Sequence, residues 1–225
     1  MKKLVFLSIL LSVVFGMNVK AQEVEEKSNW DVGADLVSNY IWRGIKYGEG
    51  LNVQPYIGFS KGGWAIGAWG SADFNGFGEM DLYTSYGFDF GLSMGVTDYY
   101  YTGSPWSDFS TASGSHAFEI NAGYEIGIVS LAGNYVVNEA AGGAGSMGGD
   151  TYFELGLNFK YFSFFGGGGN GWHTLDGGSD WELTNIGISS SKDIQLSDKF
   201  TLPLEVSAIM NPNADQFHVV VALSL

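Results

Sequence analysis

The sequence has no cysteine, so disulfides and thiolate chemistry are both excluded and a core or a hydrogen-bonded ladder must hold the fold. Positive charge is scarce: ten Lys and Arg stand against 24 Asp and Glu, a formal net charge of −14. A phosphate backbone would be repelled, so no nucleic acid is expected as a partner. Charge of either sign is thin, at 15% of residues, where an average soluble domain carries about 25%. Long apolar runs are missing too, except at the start, MKKLVFLSILLSVVFGMNVKAQ. There Lys2 and Lys3 precede an apolar stretch shorter than the ~20 residues of a membrane-spanning helix, and Val19-Lys20-Ala21 supplies cleavage positions. Residues 1–21 therefore read as a secretory signal peptide, 22–29 as a short periplasmic segment and 30–225 as one folded domain.

What the sequence does hold is glycine, 34 residues, and aromatic rings, 16% of the chain. With export and low charge, that points to an envelope β protein. Apolar and polar residues alternate along it. Trp30, Val32, Ala34, Leu36, Tyr40 and Trp42 take one phase and Asp31, Gly33, Asp35, Asn39 and Arg43 the other, so 30–43 reads as one long strand with Arg43 on its polar face. Met80, Leu82, Thr84, Tyr86 against Glu79, Asp81, Tyr83, Ser85 repeats the pattern, as do Phe118–Ile126, Phe153–Tyr161, Phe200–Ala208 and Phe217–Leu225. Weaker segments at 63–73, 162–170 and 180–191 bring the total to about twelve strands.

Connections alternate in length. Short ones fall at Lys61-Gly62-Gly63, Asp89-Phe90-Gly91, Gly127-Ile128 and Tyr161-Phe162, with Ser190 to Asp198 as a longer exception. The long ones span 102–115, 139–149 and 168–180. Tight turns at one end and long loops at the other are the pattern of a membrane barrel. A soluble barrel with an apolar lumen would need a heavily charged outer face, whereas the polar phase here is mostly Gly, Asn, Ser, Asp and Tyr. The expected fold is an all-β, antiparallel transmembrane β-barrel of about twelve strands in the outer membrane, its last strand pairing with its first. Trp30, Tyr40, Trp42, Trp64, Tyr124, Tyr135, Phe159, Tyr161 and Phe162 lie near strand ends on the outward phase and are expected to form the aromatic girdles. Pro55 lacks a ladder donor, so a bulge is expected there.

The segment SNYIWRGIKYGEGLNVQPYIGFSKGGWAIGAWGS, residues 38–71, resembles the first hairpin and third strand of the TorF-like porin family. Tyr40, Arg43, Gly44, Gln54 and Pro55 match its motif. The resemblance implies an outer-membrane barrel with a channel role and no catalytic residues. The final strand, with Phe217, Val219, Val221, Leu223 and Leu225 in phase, resembles a C-terminal assembly signal, Leu225 standing where such signals usually carry an aromatic residue.

The polar phase gives the candidate pore-lining set: Asp31, Asp35, Asn39, Arg43, Gln54, Glu79, Asp81, Asp89, Glu119, Asn121, Glu125, Asn134, Asp150, Glu154, Asn158, Lys160, Glu205 and His218. Arg43 is either a selectivity or loop-anchoring residue or the partner of a lumen carboxylate. Tyr83, Tyr152 and Phe165 point inward and, like a folded loop, are able to close the passage. His116, His173 and His218 are far apart, and no motif joins them to Ser104, Ser107, Ser110 or Ser113, so no catalytic site, metal or cofactor is expected. The leading function is a porin giving passive, cation-preferring diffusion of small hydrophilic solutes. Its partners are outer-membrane lipid and, through the C-terminal strand, the barrel-assembly machinery. Alternatives are a non-conducting barrel with partner-binding external loops and a lipid-modifying barrel enzyme.

Overall fold

The computed structural model describes residues 28–143, 145–198 and 200–225. The signal peptide and most of the 22–29 segment lie outside the described residues. The strands are β1 (Trp30–Val37), β2 (Tyr40–Trp42), β3 (Ile45–Tyr47), β4 (Asn52–Lys61), β5 (Trp64–Asp73), β6 (Gly78–Gly87), β7 (Leu92–Tyr101) and β8 (His116–Ile126). They continue with β9 (Val129–Val136), β10 (Glu139–Ala140), β11 (Ser146–Met147), β12 (Thr151–Asn158), β13 (Ser163–Gly169), β14 (Glu182–Ser197), β15 (Phe200–Asn211) and β16 (Gln216–Ser224). A 3₁₀ turn covers Gly171–His173.

Twelve of these strands form a closed antiparallel barrel in the order β1-β16-β15-β14-β13-β12-β9-β8-β7-β6-β5-β4. β2–β3 and β10–β11 are separate small hairpins. The last strand does pair with the first: Asp35, Leu36 and Val37 oppose Ser224, Leu223 and Ala222, and Ala34 and Leu225 exchange backbone hydrogen bonds. One end carries the tight connections 62–63, 88–91, 127–128 and 159–162 together with both strand termini, Trp30 and Ser224. The other carries 38–51, 102–115, 137–150 and 170–181.

Polarity is inverted relative to a water-soluble fold. Val32, Ile57, Ile66, Leu82, Val96, Leu131, Leu155, Ile188 and Val219 are exposed on the outer wall, while Asp35, Gln54, Glu79, Asp81, Glu119, Asn121 and Asn134 are buried inside. In water such a continuous apolar band would cost about 25 cal/mol per Å², and in hydrocarbon that cost disappears. The interior has to accommodate large rings on its polar phase, and glycine gives them room. Tyr56 lies over Gly33, Tyr83 over Gly67 and Phe165 over Gly187, each pair being cross-strand partners. A Cβ at these glycines would lie 2.4, 2.4 and 2.2 Å from the ring side chain above it. The rings therefore lie flat on the wall and cover glycine backbone.

Three sequence expectations change. The strand read over 30–43 ends at Val37, because the chain turns into the barrel there. The connection expected from Ser190 to Asp198 is mostly strand, β14 continuing to Ser197 with Ser191 opposite Glu205 and Lys192 opposite Leu204. No bulge forms at Pro55, which faces Ala34 on β1. On the β5 side the register is the same before and after it, Val53 opposite Ala72 and Tyr56 opposite Trp69, so its missing N–H falls at an unpaired step. The register shifts instead lie at Gly167/Gly168 and Gln195/Ser197.

The face assignment is testable on β6, where exposed Leu82 points outward and half-buried Ser85 inward. Leu82→Arg should lower folding stability in lipid bilayers by about 2–4 kcal/mol and Ser85→Arg by much less. Equal losses in urea titrations of the two variants would reverse the assignment.

Candidate functional site: a loop folded into the lumen

Val37 and Asn52 are Cα partners on neighbouring strands, so two residues would be enough to connect β1 to β4. The chain instead inserts residues 38–51, and their β2–β3 hairpin turns into the barrel, burying Tyr40, Ile41, Trp42, Arg43 and Gly44. Trp42 pairs with Ile45, which leaves Arg43-Gly44 as a two-residue turn with φ of +51° and +83°. Two positive φ values in a two-residue connection are the mark of a type I′ hairpin. Gly44 is required twice over, since a Cβ there would also fall 1.8 Å from the Thr184 carbonyl oxygen. Asn211 Nδ2 donates to the Gly44 carbonyl at 3.1 Å and ties the hairpin tip to the wall.

Arg43 accepts a left-handed backbone, at a cost of about 1–2 kcal/mol, because its side chain is held at both Nη atoms and on both faces. Nη1 and Nη2 donate to Glu119 Oε2 and Oε1 at 2.6 and 2.9 Å, a bidentate pair with exposures of 2% and 0%. The guanidinium lies between the rings of Trp42 and Tyr152, 4.4 and 4.5 Å from their centroids. Burial pulls against the charged form of Arg43, and Glu119 more than offsets it, so the arginine remains a cation. His173 Nε2 is 3.4 Å from Nη1. Burial first, then the Arg43 charge, hold His173 well below the usual histidine range, so it is neutral and its Nε2 accepts. Glu119 also accepts from Tyr99 Oη at 3.0 Å and Asn121 Nδ2 at 2.6 Å, while Asn121 in turn bonds Thr97 and Asn134. The network therefore spans β7, β8 and β9.

An aromatic cluster closes around this pair. Trp42 and Trp172 have centroids 4.7 Å apart, Tyr47 stacks on Tyr101 at 5.7 Å, and Trp172 Nε1 donates to Tyr47 Oη at 3.0 Å. Tyr40, Trp69 and Tyr99 complete the cluster. Toward the tight-turn end the inner face is less buried: Asp31 and Asn158 are exposed and Tyr56, Tyr83 and Glu125 half-buried. The lumen is thus a cup, open at the tight-turn end and filled by the hairpin at the long-loop end.

Within the pore-lining set, Asp35, Arg43, Gln54, Glu79, Asp81, Glu119, Asn121 and Asn134 are brought together in the buried half. Glu154 joins them through Tyr152 Oη and Asn185 Nδ2, while Glu205, bonded by Ser207 Oγ, and His218 line the inner face half-buried. Five placements differ from the sequence reading. Asn39 is in the inserted loop, Asp89 and Lys160 are exposed in turns, Lys160 over the Tyr161 ring at 4.9 Å, and Asp150 is in the 137–150 loop, accepting from Ser146 Oγ at 2.6 Å. Arg43 is on a turn and not on a strand. Of the expected girdle residues, Tyr40 and Trp42 are inside the lumen because the hairpin reverses their surroundings, while Trp30, Trp64, Tyr135, Phe159, Tyr161 and Phe162 are exposed on the outer side.

His116 opens β8 but faces outward, unlike the other two histidines. Nδ1 is 3.0 Å from both oxygens of Asp98 and Nε2 2.8 Å from the Trp106 carbonyl, with the Phe109 ring stacked at 4.1 Å. Both ring nitrogens therefore face acceptors, and His116 pins the 102–115 loop to the outer wall. Sequence reasoning missed Trp172, Tyr47 and Trp69 as lumen residues. The available signal for Tyr47 was the X-Gly dipeptide Arg43-Gly44 between Tyr40-Ile41-Trp42 and Ile45-Lys46-Tyr47, which is a hairpin pattern.

A family model matches residues 23–201. The chain belongs to the Gcw_chp family, described as bacterial proteins of unknown function. That description carries neither the TorF-like name nor an activity. No curated protein matches the chain. Among solved structures it is similar to a mutant of the Rh. blastica porin, with TM-score 0.40, 10% identity, and 77% of this chain and 55% of the porin covered. It is also similar to the outer membrane phospholipase A from Escherichia coli, with TM-score 0.44, 12% identity, and 88% of this chain and 97% of that one covered. The chain spans little more than half the length of the porin.

The buried pair makes a stability prediction. Arg43→Gln leaves Glu119 uncompensated and should cost about 3–5 kcal/mol in urea unfolding from detergent, whereas Arg43→Met with Glu119→Leu should recover most of it. A single variant that costs nothing would show the pair to be unimportant.

Proposed function

We propose that this protein is an outer-membrane β-barrel whose polar lumen gives small hydrophilic solutes a cation-preferring path, narrowed by the 38–51 loop. The observation that carries this reading is the charge of the interior inside an apolar wall. Asp35, Glu79 and Asp81 are buried there in addition to Glu119, whose charge and that of Arg43 cancel. Carboxylates in a passage with low-dielectric walls concentrate cations and repel anions, most strongly at low salt. The signal-like leader read at residues 1–21 and the in-phase C-terminal strand support passage through the envelope and delivery to the barrel-assembly machinery. The packing of Trp42 against Trp172 supports a small conductance and not an open pore.

Two measurements test this. In planar bilayers with a KCl gradient around 0.1 M, the refolded protein should give small, cation-selective currents. Replacing residues 38–51 by Asn-Gly should raise the conductance several-fold with the same sign of selectivity. An anion preference, or silence in a loop-free barrel whose circular dichroism shows the same β content, would sink the channel reading. Phospholipid should not be hydrolysed by the same preparation, because His116 is bonded at both nitrogens and offers no free base. Turnover abolished by His116→Ala would favour the lipid-modifying alternative.

A further inference from the structure

On the inner face of β6, Glu79 and Asp81 stand two residues apart beneath the hairpin. Across the ladder Glu79 faces Ser71 on β5 and Tyr101 on β7, and Asp81 faces Trp69 and Tyr99. Both acids are 4% exposed. The Tyr40 and Tyr101 hydroxyls are the donors that flank Glu79, and Asp81 Oδ1 makes no hydrogen bond. Independently, the Trp69 Nε1–H is buried on the same patch of wall without a partner. Other buried lumen carboxylates have partners: Glu119 has Arg43, Asp35 has Ser224, and Glu154 has Tyr152 and Asn185. Lys46 is held by Glu49, so among the described residues no basic side chain pairs with Glu79 or Asp81.

Two adjacent carboxylates out of water and without a counter-charge are costly, and a bound cation removes the cost. We infer that the Glu79–Asp81 patch, walled by Tyr40, Trp69, Tyr99 and Tyr101, binds a small organic ammonium ligand that carries a hydroxyl group. Ring faces favour a weakly hydrated ammonium over a metal ion. A hard cation such as calcium wants six to eight oxygens, and among the described residues no group of three or more acids or histidines is assembled to hold a metal. The indole N–H of Trp69 can only donate, so the ligand needs an acceptor as well as its charge, and a hydroxyl oxygen supplies it. Entry is from the open end of the cup, past half-buried Tyr83 and Ser85 on the same strand. The inference deepens the cation-preferring reading and rests on it for access to the lumen.

The test is calorimetric titration of the refolded, full barrel in zwitterionic detergent with ethanolammonium chloride, against sodium chloride at the same concentration. A saturable signal is expected for ethanolammonium alone. It should weaken at least ten-fold in Glu79→Gln/Asp81→Asn and be unchanged in Asp108→Asn, in the 102–115 loop on the outer wall. The melting temperature of the unmodified protein should also rise with ethanolammonium and not with sodium, a readout that needs no variant to fold. No saturation, an equal response to sodium, or full binding by the double variant would overturn the inference. Current through a barrel that binds nothing would overturn the site and leave the channel, and binding by a barrel that never conducts would overturn the channel and leave the site.

Discussion

The bidentate pair between Arg43 and Glu119 is the constraint on which the interior depends. A hairpin with Tyr40, Ile41 and Trp42 in its first arm has no reason of its own to stay among buried carboxylates. The arginine at its tip changes that, because it is the positive charge that Glu119, buried on β8, requires. Once the pair is made, the left-handed turn, the ring sandwich and the neutral His173 follow as accommodations to one guanidinium. The cost of desolvating the carboxylate is offset by the further donors Glu119 receives from Tyr99 and Asn121.

The plug also explains a mixture of polarities that a simple inside/outside rule does not contain. A barrel of twelve strands is wider than its own side chains fill readily. Here the outer half of the lumen is packed by chain drawn in from two loops, residues 38–51 and the turn at Gly171–His173, and the packing there is aromatic. The inner half is lined by short polar residues and by rings lying on glycine. One half resembles a protein core and the other a solvated vestibule, and Glu79 and Asp81 sit where the two meet.

Most of the wall was legible in the sequence because period-2 alternation is a local property: each β6 residue declares its face through its neighbours. The loop asymmetry and the closure by the last strand were legible for the same reason. The 30–43 stretch misled because Tyr40, Ile41 and Trp42 continue an apolar run across a point where the backbone leaves the wall. Alternation by itself does not distinguish a ring facing lipid from a ring facing a plug. Glu119 was placed inside by its phase, but its pairing with Arg43, 76 residues away, is a tertiary fact. Lys160 and Asp89 were misplaced by one short step of strand length, which alternation does not limit.

The seam of the barrel has a consequence for the order of assembly. β1 is matched to β4 over eight residues but to β16 over the three pairs from Asp35 to Val37 and a flanking exchange at Ala34. Those contacts join the two ends of the chain, so their loop-closure entropy is the largest in the molecule and falls only after every intervening hairpin has formed. The hairpin tip is fastened to Glu119 and, through Gly44, to Asn211 on β15, so it bridges the circle from within. A plug attached in this way acts as a clasp across a short seam, and the element that obstructs the lumen also keeps the cylinder shut.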